Sequence, residues 1–171
     1  MKFLTKSECE QWCAERGLLT PAPLYKRPAP DGYVTQDFSI PEDAGARVAL
    51  CRSLWPGEWT QEQRLLWVKE WSVWPSGEHM PIYTKWRSAL GDNRVMIEAP
   101  GHVVEPDEDD DGLSVLVMSA LFLWDCWVYT ENAAVVMISH DEFGTVFQRR
   151  DVQQSWDWKE ILRIFGVLRQ P

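Results

Sequence analysis

The sequence predicts an α+β fold, a single domain in which helices cover an antiparallel or mixed β-sheet. One observation is that helical and β-favouring segments both recur along the chain, and that two β-rich runs near its end are joined by a short turn. A second is size, since 171 residues of which 45% are hydrophobic can bury a core without a disulfide or a metal ion. We therefore expect one domain over residues 1–171.

The first elements follow from capping and breaking residues. Thr5 and Glu8 can form a capping box and Gly17 provides a stop, which predicts a helix over 5–16. Four prolines between Thr20 and Pro30 exclude regular structure and predict an extended segment over 20–31. The β-favouring run 33–38 then predicts a short strand.

The next three elements take up residues 41–90. Pro41, followed by two acidic residues, predicts the start of a helix that continues to Trp55 and ends at Pro56-Gly57. The run 65–74 contains residues that favour helix and residues that favour strand, and we predict a buried strand over 65–72. A helix over 80–90 follows, ended by Gly91.

The second half is predicted from apolar spacing. Arg94–Glu98 resembles a short strand closed by Pro100-Gly101, and the acidic loop 105–112 leads into a buried helix that ends at Trp124. The remaining predicted elements are a hairpin of strands 127–129 and 135–138, a third strand over 145–147 and a last helix over 155–165.

The charge of the chain is unevenly placed. The net charge is −9, and six of the 26 acidic residues lie between Glu105 and Asp111. A chain with no basic cluster is a poor binder of nucleic acid or of an anionic membrane surface. The first residues lack the apolar run of a signal peptide, and no apolar stretch reaches the length of a membrane span. Four cysteines without a metal-ligand spacing then predict a cytoplasmic protein with reduced thiols and no cofactor.

Two groups of residues are candidates for chemistry. Ser139-His140-Asp141-Glu142 follows an apolar strand, and a histidine beside carboxylates can act as a general base or a metal ligand. The alternative is that these four residues have a purely structural role, as a turn or a helix cap. Three histidines could make a zinc site, yet none lies at ligand spacing to another, and the acidic run lacks the positions of a calcium-binding loop. An enzyme or ligand-binding site, if present, would use the residues His102, Asp125, His140, Asp141 and Glu142.

Five blocks of the chain carry a resemblance to known proteins. They are Leu66–Ser76, Arg87–Asp92, Glu98–His102, Leu123–Trp127 and Ser139–Glu142. Together they resemble a family of small uncharacterised bacterial cytoplasmic proteins, from which no catalytic residues carry over. At the level of class, a small acidic chain rich in tryptophan is also similar to immunity proteins, which neutralise toxins by covering or distorting their active sites.

These observations predict an intracellular protein-binding module, an immunity- or antitoxin-like inhibitor of a toxin or other basic partner. Acidic surface speeds association with basic proteins, and tryptophan is enriched in interface hot spots. Of the eleven tryptophans, we expect Trp67, Trp71, Trp124 and Trp127 in the core and Trp55, Trp59, Trp156 and Trp158 partly exposed. The residues predicted to contact the partner are Glu105, Asp107, Glu108, Asp109, Asp110, Asp111, Trp156 and Trp158.

Overall fold

The structure is a computed structural model that describes residues 1–21, 30–55, 62–70, 79–131, 134–139, 142–151 and 157–168. Its strands are β1 (Lys2–Leu4), β2 (Tyr33–Ser39), β3 (Arg64–Glu70), β4 (Gly101–Val104), β5 (Asp125–Thr130), β6 (Ala134–Ile138) and β7 (Phe143–Arg149). Its helices are α1 (Lys6–Glu15), α2 (Ala44–Leu54), α3 (His79–Ala89), α4 (Asp109–Phe122) and α5 (Trp158–Ile164). The predicted α+β fold is confirmed.

All seven strands form one sheet in the order β1-β4-β3-β5-β6-β7-β2, and every described pair is antiparallel. The predicted hairpin is β5 and β6, and β7 extends it as the third strand. Both edge strands come from the first 39 residues, since β1 pairs with β4 and β2 pairs with β7.

Helices cover both faces of the sheet, so the core has two parts. On one face, called the α1 face below, α1 packs against Trp67, Trp127 and other side chains of the central strands. On the other, the helix-rich face, α2 to α5 pack against the alternate residues of the same strands, including Leu66 and Val128. Because successive strand residues point to opposite faces, neighbouring apolar residues such as Leu66 and Trp67 serve different halves of the core.

Local signals place the helices where the sequence predicts them. Thr5 and Glu8 form the capping box of α1, with the Thr5 N–H donating to the Glu8 carboxylate at 2.7 Å. Asp43 caps α2 by accepting from the Ala46 N–H at 2.8 Å, so the predicted helix starts after Pro41 rather than at it. Most of the predicted extended segment 20–31 lies outside the described residues.

One predicted strand is wrong, and two strands of the structure were not predicted. Arg94–Glu98 is a turn and not a strand, since the Glu98 N–H donates to the Val95 carbonyl at 2.8 Å. The neighbouring strand is β4, and its two edges are already paired with β1 and β3. The two strands that were missed, β1 and β4, have three and four residues.

Candidate functional site

The acidic run is not a loop, contrary to the prediction for residues 105–112. Pro106–Glu108 forms a short 3₁₀ turn and α4 begins at Asp109, inside the run. Carboxylates in the first turn of a helix interact favourably with its dipole, which explains why the helix starts several residues earlier than apolar spacing indicates.

Half of the six acidic side chains are held by structural contacts. Asp109 pairs with Arg64 at 2.5 Å and accepts from the Trp55 indole N–H at 3.4 Å. Glu105 accepts from the Gln63 amide at 2.6 Å. Glu108 accepts from the Glu105 backbone N–H at 3.0 Å and also pairs with the Met1 amino group. The exposed acids of the run are Asp107 and Asp110, and Asp111 is half-buried.

Arg64 explains why Asp109 is needed. Its side chain is fully buried on the helix-rich face, with the guanidinium 5.2 Å from the Trp55 ring centroid. Burial lowers the pKa of this guanidinium, and the Asp109 carboxylate opposes that shift. The pair therefore stabilises the contact between β3 and the first turn of α4.

Two substitutions separate the structural acids from the exposed ones. Asp109→Ala leaves a buried cation without its ion-pair partner and is expected to lower the free energy of unfolding by about 2 kcal/mol. Asp110→Ala, one residue further along, is expected to change it by less than about 0.5 kcal/mol. Urea denaturation of both variants beside the wild type measures the difference, and equal losses would contradict the role given to Asp109.

His102, the first residue of the predicted catalytic group, is fully buried in β4. Its Nδ1 donates to the Leu66 carbonyl at 3.3 Å, so its Nε2 is left to accept a hydrogen bond from the Tyr83 hydroxyl. Burial, reinforced by the nearby Arg87 cation, lowers the pKa of His102 to about 3. At neutral pH the ring is uncharged, shielded from solvent and engaged at both nitrogens.

The other residues of that group do not join His102. Strand alternation places Asp125 with Trp127 on the α1 face, opposite to His102. Glu142 accepts from the Arg47 guanidinium at 3.3 Å, and Arg47 also donates to the carbonyl of Ala120 at the end of α4. His140 and Asp141 lie outside the described residues. Within the described part of the chain, no three histidine, cysteine or acidic side chains form a group able to hold a metal ion.

The four cysteine thiols offer no alternative nucleophile. All four are free and buried. Burial raises the pKa of Cys13, Cys51 and Cys126 to about 12 and that of Cys9 further. Thiols that stay protonated at neutral pH are poor nucleophiles and poor metal ligands.

A concave surface with an apolar lining lies elsewhere in the described part of the chain, between α3, the end of β3 and the loop of residues 90–100. This groove has a volume of about 600 Å³. Its apolar side chains come from Met80, Val95, Met96 and Ile97, and its rim carries Lys69, Glu70 and Arg94. Val95 and Ile97 are 64% and 77% exposed, and because they stand together on one loop they form an exposed apolar patch.

The 90–100 loop is fixed in place from both sides. Asp92 is buried and binds two arginines, with Arg87 at 3.2 Å and Arg94 on its other side. The Arg94 guanidinium also donates to the Phe3 carbonyl of β1 at 3.0 Å. At the other end, the Val68 N–H donates to the Pro100 carbonyl at 3.1 Å. Met96 is buried between the two exposed residues, so Val95 and Ile97 are held in an outward-facing position.

The residues that form this groove include the predicted strand Arg94–Glu98. Val95, Met96 and Ile97 alternate outward, inward and outward, which is the period of a half-buried strand. The residues on either side, Asp92-Asn93 and Pro100-Gly101, are loop formers. An alternation of only three apolar residues, with loop-forming residues directly before and after it, is the signal that could have indicated an exposed apolar loop.

The expectation of partly exposed tryptophans is wrong at both described positions. Trp55 is buried, and an ideal Cβ on Gly112 would lie 2.6 Å from its ring, so the indole lies directly on the first turns of α4. Trp158 is buried as well, and its indole N–H donates to the Gln148 side chain at 3.1 Å. Trp158 therefore has no surface for a partner. Trp67, Trp124 and Trp127 are buried as expected, while Trp59, Trp71 and Trp156 lie outside the described residues.

Comparison of the chain with protein-family models, with curated proteins and with solved structures finds no match. The family resemblance inferred from the five sequence blocks therefore stays a prediction. None of the described helices is long and apolar enough to cross a membrane.

Proposed function

We propose that the protein is a protein-binding module that docks a basic partner on the groove beside the 90–100 loop. The observation that carries this proposal is the pair of exposed side chains Val95 and Ile97, held outward by a loop whose ends are hydrogen-bonded to β1, β3 and α3. Exposed apolar groups on a rigid support are typical of docking surfaces, because burying them against a partner costs little conformational entropy.

The charge of the molecule supports a basic partner. The groove rim carries little net charge, since Lys69 and Arg94 stand there with Glu70, and Glu98 acts on Arg94 from nearby. The apolar side chains therefore supply the affinity there. The net charge of −9 acts at longer range and attracts a positively charged protein, with Asp107 and Asp110 among the exposed acids. An immunity- or antitoxin-like inhibitor of a basic toxin fits this combination.

The alternative, an enzyme using His102, Asp125, His140, Asp141 and Glu142, has less support. Access to solvent is the first requirement of such a site, and His102 is fully buried with both ring nitrogens engaged. Asp125 lies on the opposite face of the sheet, and Glu142 is bound by Arg47.

The docking surface can be tested with two strongly exposed isoleucines. Ile97→Glu places a charge in the groove, while Ile164→Glu places one on α5, where Ile164 is 67% exposed. We expect tagged wild-type protein and Ile164→Glu to recover the same stoichiometric basic partner from the native cell. Ile97→Glu is expected to lose it. With the purified partner, calorimetry should show an affinity at least about 100-fold weaker for Ile97→Glu, or roughly 3 kcal/mol.

Three results would contradict the proposal. They are the absence of any stoichiometric partner of the wild-type protein, a partner whose binding does not weaken with added salt, and equal loss of binding in the two glutamate variants. Both variants change exposed positions, so their free energies of unfolding should stay within about 0.5 kcal/mol of the wild type.

A further inference from the structure

Helix α3 is attached to the rest of the molecule by very few side chains. Of residues 80–89, only Tyr83 and Arg87 are buried, Met80 and Trp86 are half-buried, and the others are exposed. Both buried residues end in polar groups, with the Tyr83 hydroxyl on His102 and the Arg87 guanidinium on Asp92. The attachment of this helix therefore depends on two polar contacts as well as on apolar packing.

His102 lies directly under α3 and is enclosed by aromatic rings. Its ring centroid is 5.3 Å from that of Phe3 on β1, 5.9 Å from that of Tyr83 and 6.4 Å from that of Trp86. Tyr83 is held from its other side by Trp124, at 5.4 Å. Helix α3 thus covers the buried imidazole on the helix-rich face, and movement of α3 away from the sheet would open the ring to water.

The groups around His102 disfavour a positive charge on its ring. From α3 it faces Arg87, from the 90–100 loop it faces Asp92, and from β3 it faces the Leu66 carbonyl, which already accepts from Nδ1. Among the described residues, the carboxylate that acts on the ring is Asp92, and it is bound by Arg87 and Arg94. Tyr83 itself is close to the buried Cys126 thiol, which is protonated at neutral pH and carries no charge.

We propose that His102 is an acid-sensitive latch for α3. A proton taken from solvent onto Nε2 turns that nitrogen from an acceptor into a donor, so the hydrogen bond with the Tyr83 hydroxyl must reverse, and the proton places a second positive charge beside Arg87. Both changes favour the state in which α3 has moved away and the imidazolium is hydrated.

The expected pH dependence follows from linkage. In the closed state the pKa of His102 is lowered to about 3, whereas a hydrated imidazole has a pKa near 6.5. Between these values the open state binds one more proton, so the opening equilibrium constant rises about tenfold per pH unit as the pH falls below about 6.5. The closed state is therefore stable at neutral pH and is progressively lost in acid.

Opening of the latch also affects docking, a consequence that rests on the proposed function. Helix α3 supplies Met80 and Thr84 to the groove, and Thr84 Oγ1 donates to the Met96 sulfur at 3.8 Å. Movement of α3 removes one wall of the groove, so a docked partner would be released at acidic pH.

Amide hydrogen exchange tests the latch without any partner. We expect the opening constant of the α3 amides, corrected for intrinsic exchange rates, to be about 15-fold larger at pH 5.0 than at pH 6.5. The amides of α4 are expected to change less than about threefold, because α4 packs on other elements. His102→Gln should abolish the pH dependence, whereas the matched control His79→Gln, which removes a histidine of α3 itself, should retain it.

If His102→Gln fails to fold, measurements on the wild-type protein still test the latch. Constant α3 protection between pH 6.5 and 5.0 in the wild type would overturn the proposal, and so would parallel loss of protection in α3 and α4. Imidazole nitrogen spectra of the wild type give an independent reading. A neutral His102 ring with its proton on Nδ1 at pH 5.0 supports the latch, and a ring that titrates near pH 6.5 while α3 stays protected excludes it.

Discussion

Phe38→Ala is expected to lower the free energy of unfolding by about 3–5 kcal/mol, one of the two largest effects predicted for this chain. Phe38 is fully buried on the helix-rich face of β2, and its ring lies over Gly144 of the neighbouring strand β7. An ideal Cβ on Gly144 would be 2.1 Å from the tip of that ring. The Phe38 ring therefore fills the space that a side chain at Gly144 would need, and the two residues form one packing unit across the two strands.

Gly144→Ala tests the same packing unit by adding a methyl group beneath the Phe38 ring. The added methyl group collides with a ring that has no exposed surface to move into, and the expected loss is roughly 1–3 kcal/mol. In the double variant the methyl group fills part of the space left by the ring, so the combined loss should be smaller than the sum. Guanidinium denaturation of the four proteins gives the coupling free energy. Additivity within about 0.5 kcal/mol would show that the ring and Gly144 are independent.

Arg87→Ala is expected to be the second large loss, also about 3–5 kcal/mol. The Arg87 side chain is buried, stacks 4.5 Å from the Phe3 ring centroid and pairs with a buried carboxylate, Asp92. Truncation removes the stacking, opens a cavity and weakens the attachment of α3 to the 90–100 loop. Thermal and urea denaturation both measure it.

Arg94→Ala is the matched control, because Arg94 pairs with the same carboxylate from the surface. Its side chain is 43% exposed, and the loss is expected to stay near or below about 1 kcal/mol. Equal losses in the two arginine variants would mean that burial of Arg87 adds nothing to the pair. Because Arg94 also binds the Phe3 carbonyl, its removal should loosen the loop more than it lowers global stability, which hydrogen exchange at residues 92–98 would detect.

Local signals explain what the sequence could predict. The capping box of α1 and the β5–β6 hairpin depend on residues close together in the chain, and both are confirmed. Strands β1 and β4 were missed because each has four residues or fewer and its pairing is decided by partners far away in sequence. Arg94–Glu98 shows the converse, since its alternating pattern is real but both edges of the neighbouring strand β4 are already paired with β1 and β3.

The candidate site was harder to predict for a related reason. Whether an acid or a tryptophan is exposed depends on its tertiary partners, as Arg64 shows for Asp109 and Gln148 shows for Trp158. In both cases the partner belongs to a different secondary-structure element from the residue that it covers. The groove depends on an arginine pair around Asp92 that only the folded chain assembles.

The placement of β1 and β2 at the two edges of the sheet has a consequence for synthesis of the chain. Residues 2–4 have no strand to pair with until residues 101–104 exist, and residues 33–39 wait for residues 143–149. Both segments leave the ribosome long before their partners do. The central five strands, from residues 64–149, can pair among themselves without the first 39 residues. The beginning of the chain joins the sheet only through partners far along the sequence, and such long-range pairing favours slow folding.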